Sequence, residues 1–178
     1  PTTVKTRVIS QQQQMLRIDE ENSSVLSESN TRRITDGILN ILKIHQIDVV
    51  IFEDYDKGLI SPTMINEIVE KANKLNIPIT VDPKKRNFTD YKNVTLFKPN
   101  LKEMREGLNI EIDPLNINSL EKGFEHLQKT IHCTNALITL SEHGMFITDG
   151  LNKEIVPAHV RNIADVSGAG DTVVSVAS

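Results

Sequence analysis

The residues best suited to chemistry in this 178-residue chain lie near its end, in Asp165-Val166-Ser167-Gly168-Ala169-Gly170-Asp171-Thr172, with small and apolar residues after them. Glycines reach backbone conformations closed to other residues and let a chain approach a ligand closely. A helix that starts here aims its unpaired N–H groups and the positive end of its dipole at an anion. Gly168, Ala169 and Gly170 are therefore the candidate anion cradle. Asp171, in the first turn, stands where it can take a proton from a hydroxyl attacking a phosphoryl group. Taken alone, the same tetrapeptide is also an ordinary Gly-rich strand-to-helix turn with a first-turn acid.

Two further segments sit between an apolar run and a polar turn. Asn100-Leu101-Lys102-Glu103 has the spacing of a helix cap with an acid at the third helical position. Thr139-Leu140-Ser141-Glu142-His143-Gly144 reads as a strand entering a polar turn closed by glycine. Lys5, Arg7 and Arg17 form a cationic set near the start. Arginine grips phosphate bidentately and lysine as a point charge, but exposed strands also carry such residues to block edge pairing. Asp54 and Lys57, at a strand end, are candidates for polar substrate contacts.

These residues need a scaffold, and apolar periodicity supplies one. Val4 to Ile9 and Met15 to Asp19 alternate as two short strands joined by a turn. Asn30 to Gln46 carries a helical apolar stripe. Short apolar strands are expected at 48–52, 78–81, 94–97 and 136–140, with Met145–Thr148 pairing with the last and Glu154–Val156 outermost. Helices are expected from Ser61-Pro62, from Leu101 and over Leu120–Ile131. Strands apolar on both faces and alternating with helices predict a parallel sheet covered by helices. Ligands of such sheets sit at the carboxyl ends of the strands. Each of these strands ends in polar residues, so one shared rim is expected.

The frame of Asp165 to Asp171, a D-x-x-G-x-G-D pattern, together with Asn100 and Glu103 as N-x-x-E, resembles the ribokinase-like (PfkB) family of sugar kinases. Lys5-Thr6-Arg7, Leu16-Arg17-Ile18-Asp19, Asp54-Tyr55-Asp56-Lys57-Gly58 and Asp82-Pro83-Lys84 are similar, in the same order, to the kinase domain of the D-glycero-D-manno-heptose 7-phosphate kinases, which feed ADP-heptose synthesis for lipopolysaccharide. The resemblance covers essentially the whole chain. It implies an α/β ribokinase-like fold, a mainly parallel sheet with helices on both faces. A small β lid (1–20) precedes the nucleotide-binding core (30–178).

The resemblance further implies ATP and Mg²⁺ as cofactors, with Asn100 and Glu103 organising the metal largely through water. Asn100, Leu101, Lys102, Glu103, Thr139, Ser141, Glu142 and Gly144 would contact ATP. Lys5, Arg7, Arg17, Asp54 and Lys57 would contact a sugar phosphate. Asp171 would be the base, and two copies could pair through their lids. The chain starts without Met and ends inside a helical run, which reads as a piece truncated at both ends.

Composition narrows the rivals. With 38% hydrophobic and 25% charged residues, the chain is an ordinary globular one. A net charge of -4, 4% aromatics and no Trp make nucleic acid and anionic membrane poor partners. The single cysteine, Cys133, excludes an internal disulfide and fits a reducing, cytoplasmic setting. No G-x-x-x-x-G-K-[ST] segment is present, which excludes a P-loop kinase. No His-x-Gly-His is present either, so the nucleotidyltransferase half fused to some heptose kinases lies outside these residues. Another kinase of the same family, acting on a different sugar or a nucleoside, stays open, as does an inactive fragment or interaction module.

Overall fold

A computed structural model describes residues 4–10, 13–21, 23–158 and 169–178. The first two strands, β1 (Val4–Ser10) and β2 (Gln13–Glu20), form an antiparallel ribbon by themselves. Its register puts Val4, Thr6 and Val8 opposite Glu20, Ile18 and Leu16 on one face, and Lys5 and Arg7 opposite Asp19 and Arg17 on the other. Every residue of β1 is exposed. Two strands alone cannot bury a face.

The second sheet has six strands in the order β3 (Val50–Glu53), β4 (Ile79–Asp82), β5 (Leu96–Phe97), β6 (Asn135–Thr139), β7 (Met145–Thr148) and β8 (Lys153–Val156). β3 to β6 run parallel, and β7 and β8 return antiparallel. Parallel neighbours need crossovers, which are supplied by α2 (Pro62–Lys74) and by the pair α3 (Leu101–Leu108) and α4 (Ile117–Ile131). The link from β4 to β5 holds only a 3₁₀ turn, Lys85–Asn87. α1 (Glu28–Ile44) packs on α2, and α5 (Ala169–Ala177) contacts β4.

Local chemistry explains the helix starts. Ser61 Oγ accepts from the Met64 N–H at 3.2 Å, and Pro62 occupies the first turn. Met64, Ile65, Ile68, Val69 and Ala72 then form the buried face of α2. The core beneath the sheet ends is aromatic. Phe88 meets Phe97 edge-on at 5.1 Å, and Phe52 meets Tyr91 at 5.4 Å. Each buried ring of this kind contributes roughly 1.5–3 kcal/mol. Cys133 is buried and its thiol is pushed up to about 11 by burial, as befits a packing residue.

Several expected bounds shift by one to three residues, two of them at strands that feed the sheet's polar end. The strand expected at 94–97 shortens to Leu96–Phe97, because Thr95 turns its hydroxyl to accept the Ile79 N–H at 3.0 Å. The strand expected at 48–52 is displaced to Val50–Glu53, bringing Glu53 into register with Asp82.

Candidate functional site

The carboxyl ends of β3, β4, β5 and β6 converge on one rim. The Asp54 N–H donates to the Asp82 carbonyl at 3.1 Å, and the Lys98 N–H donates to the Val81 carbonyl at 2.8 Å. The Thr139 N–H donates to the Pro99 carbonyl at 3.1 Å, and Asn100 bridges to Thr139. The residues at these strand ends therefore stand side by side, although 85 positions separate Asp54 from Thr139.

The N-terminus of α5 comes down onto this rim. A Cβ placed on Gly170 would lie 3.6 Å from Lys98 Nζ and 3.7 Å from Asp82 Oδ2. Those two atoms form an ion pair at 2.9 Å, and Lys98 is only 3% exposed. Asp82 Oδ1 is buried and makes no hydrogen bond among the described residues; Lys84 Nζ is 3.6 Å away, which is beyond hydrogen-bond reach. Lys84 Nζ in turn donates to Glu103 Oε1 at 2.6 Å. Burial pulls the Lys84 ammonium down, but Glu103 and Asp82 more than reverse this and hold it raised. Four alternating charges, Lys98, Asp82, Lys84 and Glu103, thus line the rim under the helix end.

Asn100 and Glu103 are joined in a capping box. The Asn100 side chain accepts from the Glu103 N–H at 2.8 Å, and Glu103 Oε2 accepts from the Asn100 N–H at 2.8 Å. The cap fixes the Glu103 carboxylate at the rim. Asp171 is half-buried, and its Oδ2 accepts from the Tyr55 hydroxyl at 2.9 Å. Ala169 and Gly170 open α5 above the Lys98–Asp82 pair. Gly168, like Asp165 to Ser167, lies outside the described residues.

The remaining candidates separate into groups. Leu101 packs against the core, so only its backbone faces the rim, and Lys102 is a solvent-facing side chain. Ser141 adopts a left-handed φ of 57° in the turn after β6, and Glu142 is exposed with His143 beside it at 3.5 Å. Gly144 has φ 89°, and a Cβ there would meet the Val156 carbonyl oxygen at 2.0 Å, so the turn closes only on glycine.

Lys5 and Lys57 meet on one carboxylate, Glu21, with Lys5 Nζ at 3.8 Å and Lys57 in direct contact. Gly58, with φ 78°, lets the lid linker pass close: a Cβ would be 2.2 Å from the Ser24 carbonyl oxygen. Arg17 grips Asp19 at 2.5–2.9 Å, and that guanidinium holds the Asp19 carboxyl below its usual range. Arg7 faces Arg17 across the ribbon.

Asp54, expected to contact substrate, is buried in the structure. It is 4% exposed, and its carboxylate is turned inward: Oδ2 accepts from the Tyr91 hydroxyl at 2.8 Å and from Asn87 at 3.0 Å, and Oδ1 accepts from the Asp56 N–H at 2.8 Å. Burial, then the Asp54 carboxylate, raises the Tyr91 hydroxyl pKa and keeps it a donor. Asp54 anchors the loop. Lys98, Asp82, Tyr55 and Glu21 are neighbours of the candidate residues that the sequence reading did not assign. Lys98 and Asp82 had one visible signal, a charge placed directly after an apolar strand.

The description "pfkB family carbohydrate kinase" matches residues 1–177. Bifunctional protein HldE of Campylobacter jejuni is 40% identical over 177 residues, covering 98% of this chain and 36% of that protein. Bifunctional protein HldE of Geobacter sulfurreducens is 38% identical over 179 residues, covering 98% and 35%. The chain spans about a third of the length of these relatives. Among solved structures, the tetrameric inhibited form of phosphofructokinase-2 from Escherichia coli matches with TM-score 0.76 at 19% identity, over 97% of this chain and 55% of that one. Ribokinase from Giardia lamblia matches with TM-score 0.66 at 18% identity, over 98% and 53%. At such identities the solved structures speak for the fold alone. Among the described residues no helix is long and apolar enough to cross a membrane.

Proposed function

We propose, from the premise that this chain belongs to the pfkB family of carbohydrate kinases, that it is the phosphoryl-handling part of a kinase. The kinase transfers the ATP γ-phosphoryl group to the anomeric hydroxyl of D-glycero-D-manno-heptose 7-phosphate. The observation that carries this reading is the descent of Gly170 and Asp171 onto the buried Lys98–Asp82 pair at the sheet rim. That arrangement joins a helix N-terminus, a buried ammonium and a first-turn carboxylate, the parts needed for in-line phosphoryl transfer. Asp171 takes the proton of the attacking hydroxyl. The backbone N–H groups of α5 and the Lys98 ammonium stabilise negative charge on the phosphoryl oxygens. Resemblance to the heptose kinases and identity to the HldE proteins support the choice of sugar.

The residues fit Mg²⁺ as cofactor. Among the described residues no three acidic, His or Cys side chains form a ready cage. Mg²⁺ keeps several waters and uses one or two carboxylates with substrate phosphates, and the rim offers Glu103 and the unbonded Asp82 Oδ1. Asn100 and Glu103 would hold the ion, largely through water, and the bound ion supplies neutralisation of phosphate charge. Lys5, Arg7 and Arg17 on the lid, with Lys57 after β3, offer the cations for the sugar's phosphate.

The test is ADP release by the intact protein with Mg²⁺-ATP, offering heptose 7-phosphate, ribose and fructose 6-phosphate in parallel. Turnover confined to the heptose phosphate supports the substrate. Turnover on another sugar keeps the mechanism and discards the substrate, and no turnover on any sugar favours a non-catalytic role.

The ribbon supports a homodimer through the lids. Val4, Val8, Leu16 and Ile18 share one face and are each about half exposed, an apolar stripe that a second ribbon could cover. Sedimentation should show Leu16→Glu shifting the protein from dimer to monomer. A wild-type monomer at micromolar concentration would sink the idea.

A further inference from the structure

We infer that Tyr55 is a positioning residue for Asp171, holding one carboxylate oxygen so that the other is presented to the acceptor hydroxyl. The inference rests on the reading of Asp171 as base. Its observation is the 2.9 Å hydrogen bond from the Tyr55 hydroxyl to Asp171 Oδ2, made across 116 positions of sequence.

The Tyr55 side of that bond is firm. Asp54, one residue before, is locked into the core by Tyr91 and Asn87, and its backbone N–H is tied to the Asp82 carbonyl. Asp56, one residue after, takes a left-handed φ of 55°, returns its N–H to Asp54 Oδ1 and pairs with Arg86 at 2.7 Å. Tyr55 is therefore carried by a closed turn whose two flanks are both fastened. Tyr55 is 55% exposed, so its hydroxyl serves little packing purpose.

The chemistry follows from what an aspartate base needs. Rotation about its last side-chain bond is soft, so an unheld carboxylate samples many planes. A donor on Oδ2 fixes the plane and leaves Oδ1 for the proton. The groups facing this pair are the Glu53 and Asp82 carboxylates at the strand ends and the Lys98 ammonium under Gly170. The hydrogen bond to Asp171, then burial, then the negative charges of Asp171, Glu53 and Asp82 raise the Tyr55 hydroxyl pKa. Tyr55 thus stays protonated and a donor through the neutral range.

The deciding variant is Tyr55→Phe in the intact protein, which keeps the ring and removes only the donor. The expected result is a fall in kcat of about tenfold, with KM for ATP changed less than about twofold. A merely structural tyrosine would lower the melting temperature and the fraction of ATP-binding sites counted by calorimetry, and leave kcat per site in place. Unchanged kcat per site overturns the inference while wild-type turnover stands. If the wild-type protein turns over no sugar phosphate, the kinase reading itself falls and takes this one with it, so the two failures are told apart.

Discussion

Asp171→Asn lowers kcat by roughly 10²–10⁴-fold, the range for loss of a general base, while the affinity for Mg²⁺-ATP is retained. The substitution keeps size and shape, and its amide oxygen can still accept from the Tyr55 hydroxyl that holds the side chain. What is lost is the capacity to take a proton. Asp171 is half-buried at the start of α5, with no role in the core, so the fold should tolerate the change. Single-turnover kinetics and calorimetric titration with ATP separate chemistry from binding. Near-normal turnover in the variant would place the base elsewhere on the rim.

The second large effect concerns stability. Lys98→Ala should cost about 3–5 kcal/mol in urea unfolding, because it leaves a buried carboxylate without its partner. Asp82 Oδ2 loses its 2.9 Å contact, and Oδ1 already lacks a hydrogen bond. Lys84, at 3.6 Å from Oδ1, is able to move in and soften the loss. A double-mutant cycle with Asp82→Asn isolates the pair: the double variant should be markedly more stable than Lys98→Ala alone. If Lys98→Ala costs under about 1 kcal/mol, water reaches the pair and its charge is screened as at a surface. The same loss of Lys98 should weaken turnover, since the ammonium lies under the helix end where phosphoryl oxygens would rest.

Much of the scaffold was legible because it depends on near neighbours. Ser61-Pro62 starts α2, and Asn100 with Glu103 caps α3, through contacts spanning three residues. The apolar runs at Ile79 and Ala136 mark strands with few alternatives. The Asn100–Glu103 segment also shows how two readings can hold together: one Glu103 oxygen closes the cap while the other meets Lys84. Less legible was the extent of β5, where one threonine hydroxyl substitutes for a ladder carbonyl.

By itself, the sequence determined the order of strands and helices, the polar rim at the strand ends, and the place of Asp171 in the first turn of its helix. Periodicity, caps and glycine positions are local properties, and local properties survive in a linear string. Only the tertiary structure decided which rim charges are buried and which meet. Asp54 and Lys98 each follow a short apolar strand, yet Asp54 turns inward to Tyr91 and Asn87, whereas Lys98 is buried against Asp82 beneath Gly170. Tyr55 reaches Asp171, and Glu21 draws Lys5 and Lys57 together, across gaps of 116, 16 and 36 positions. The direction of a side chain at a strand end depends on the turn that follows and on the neighbouring strand. Those partners are set by sheet order, which composition and spacing do not encode.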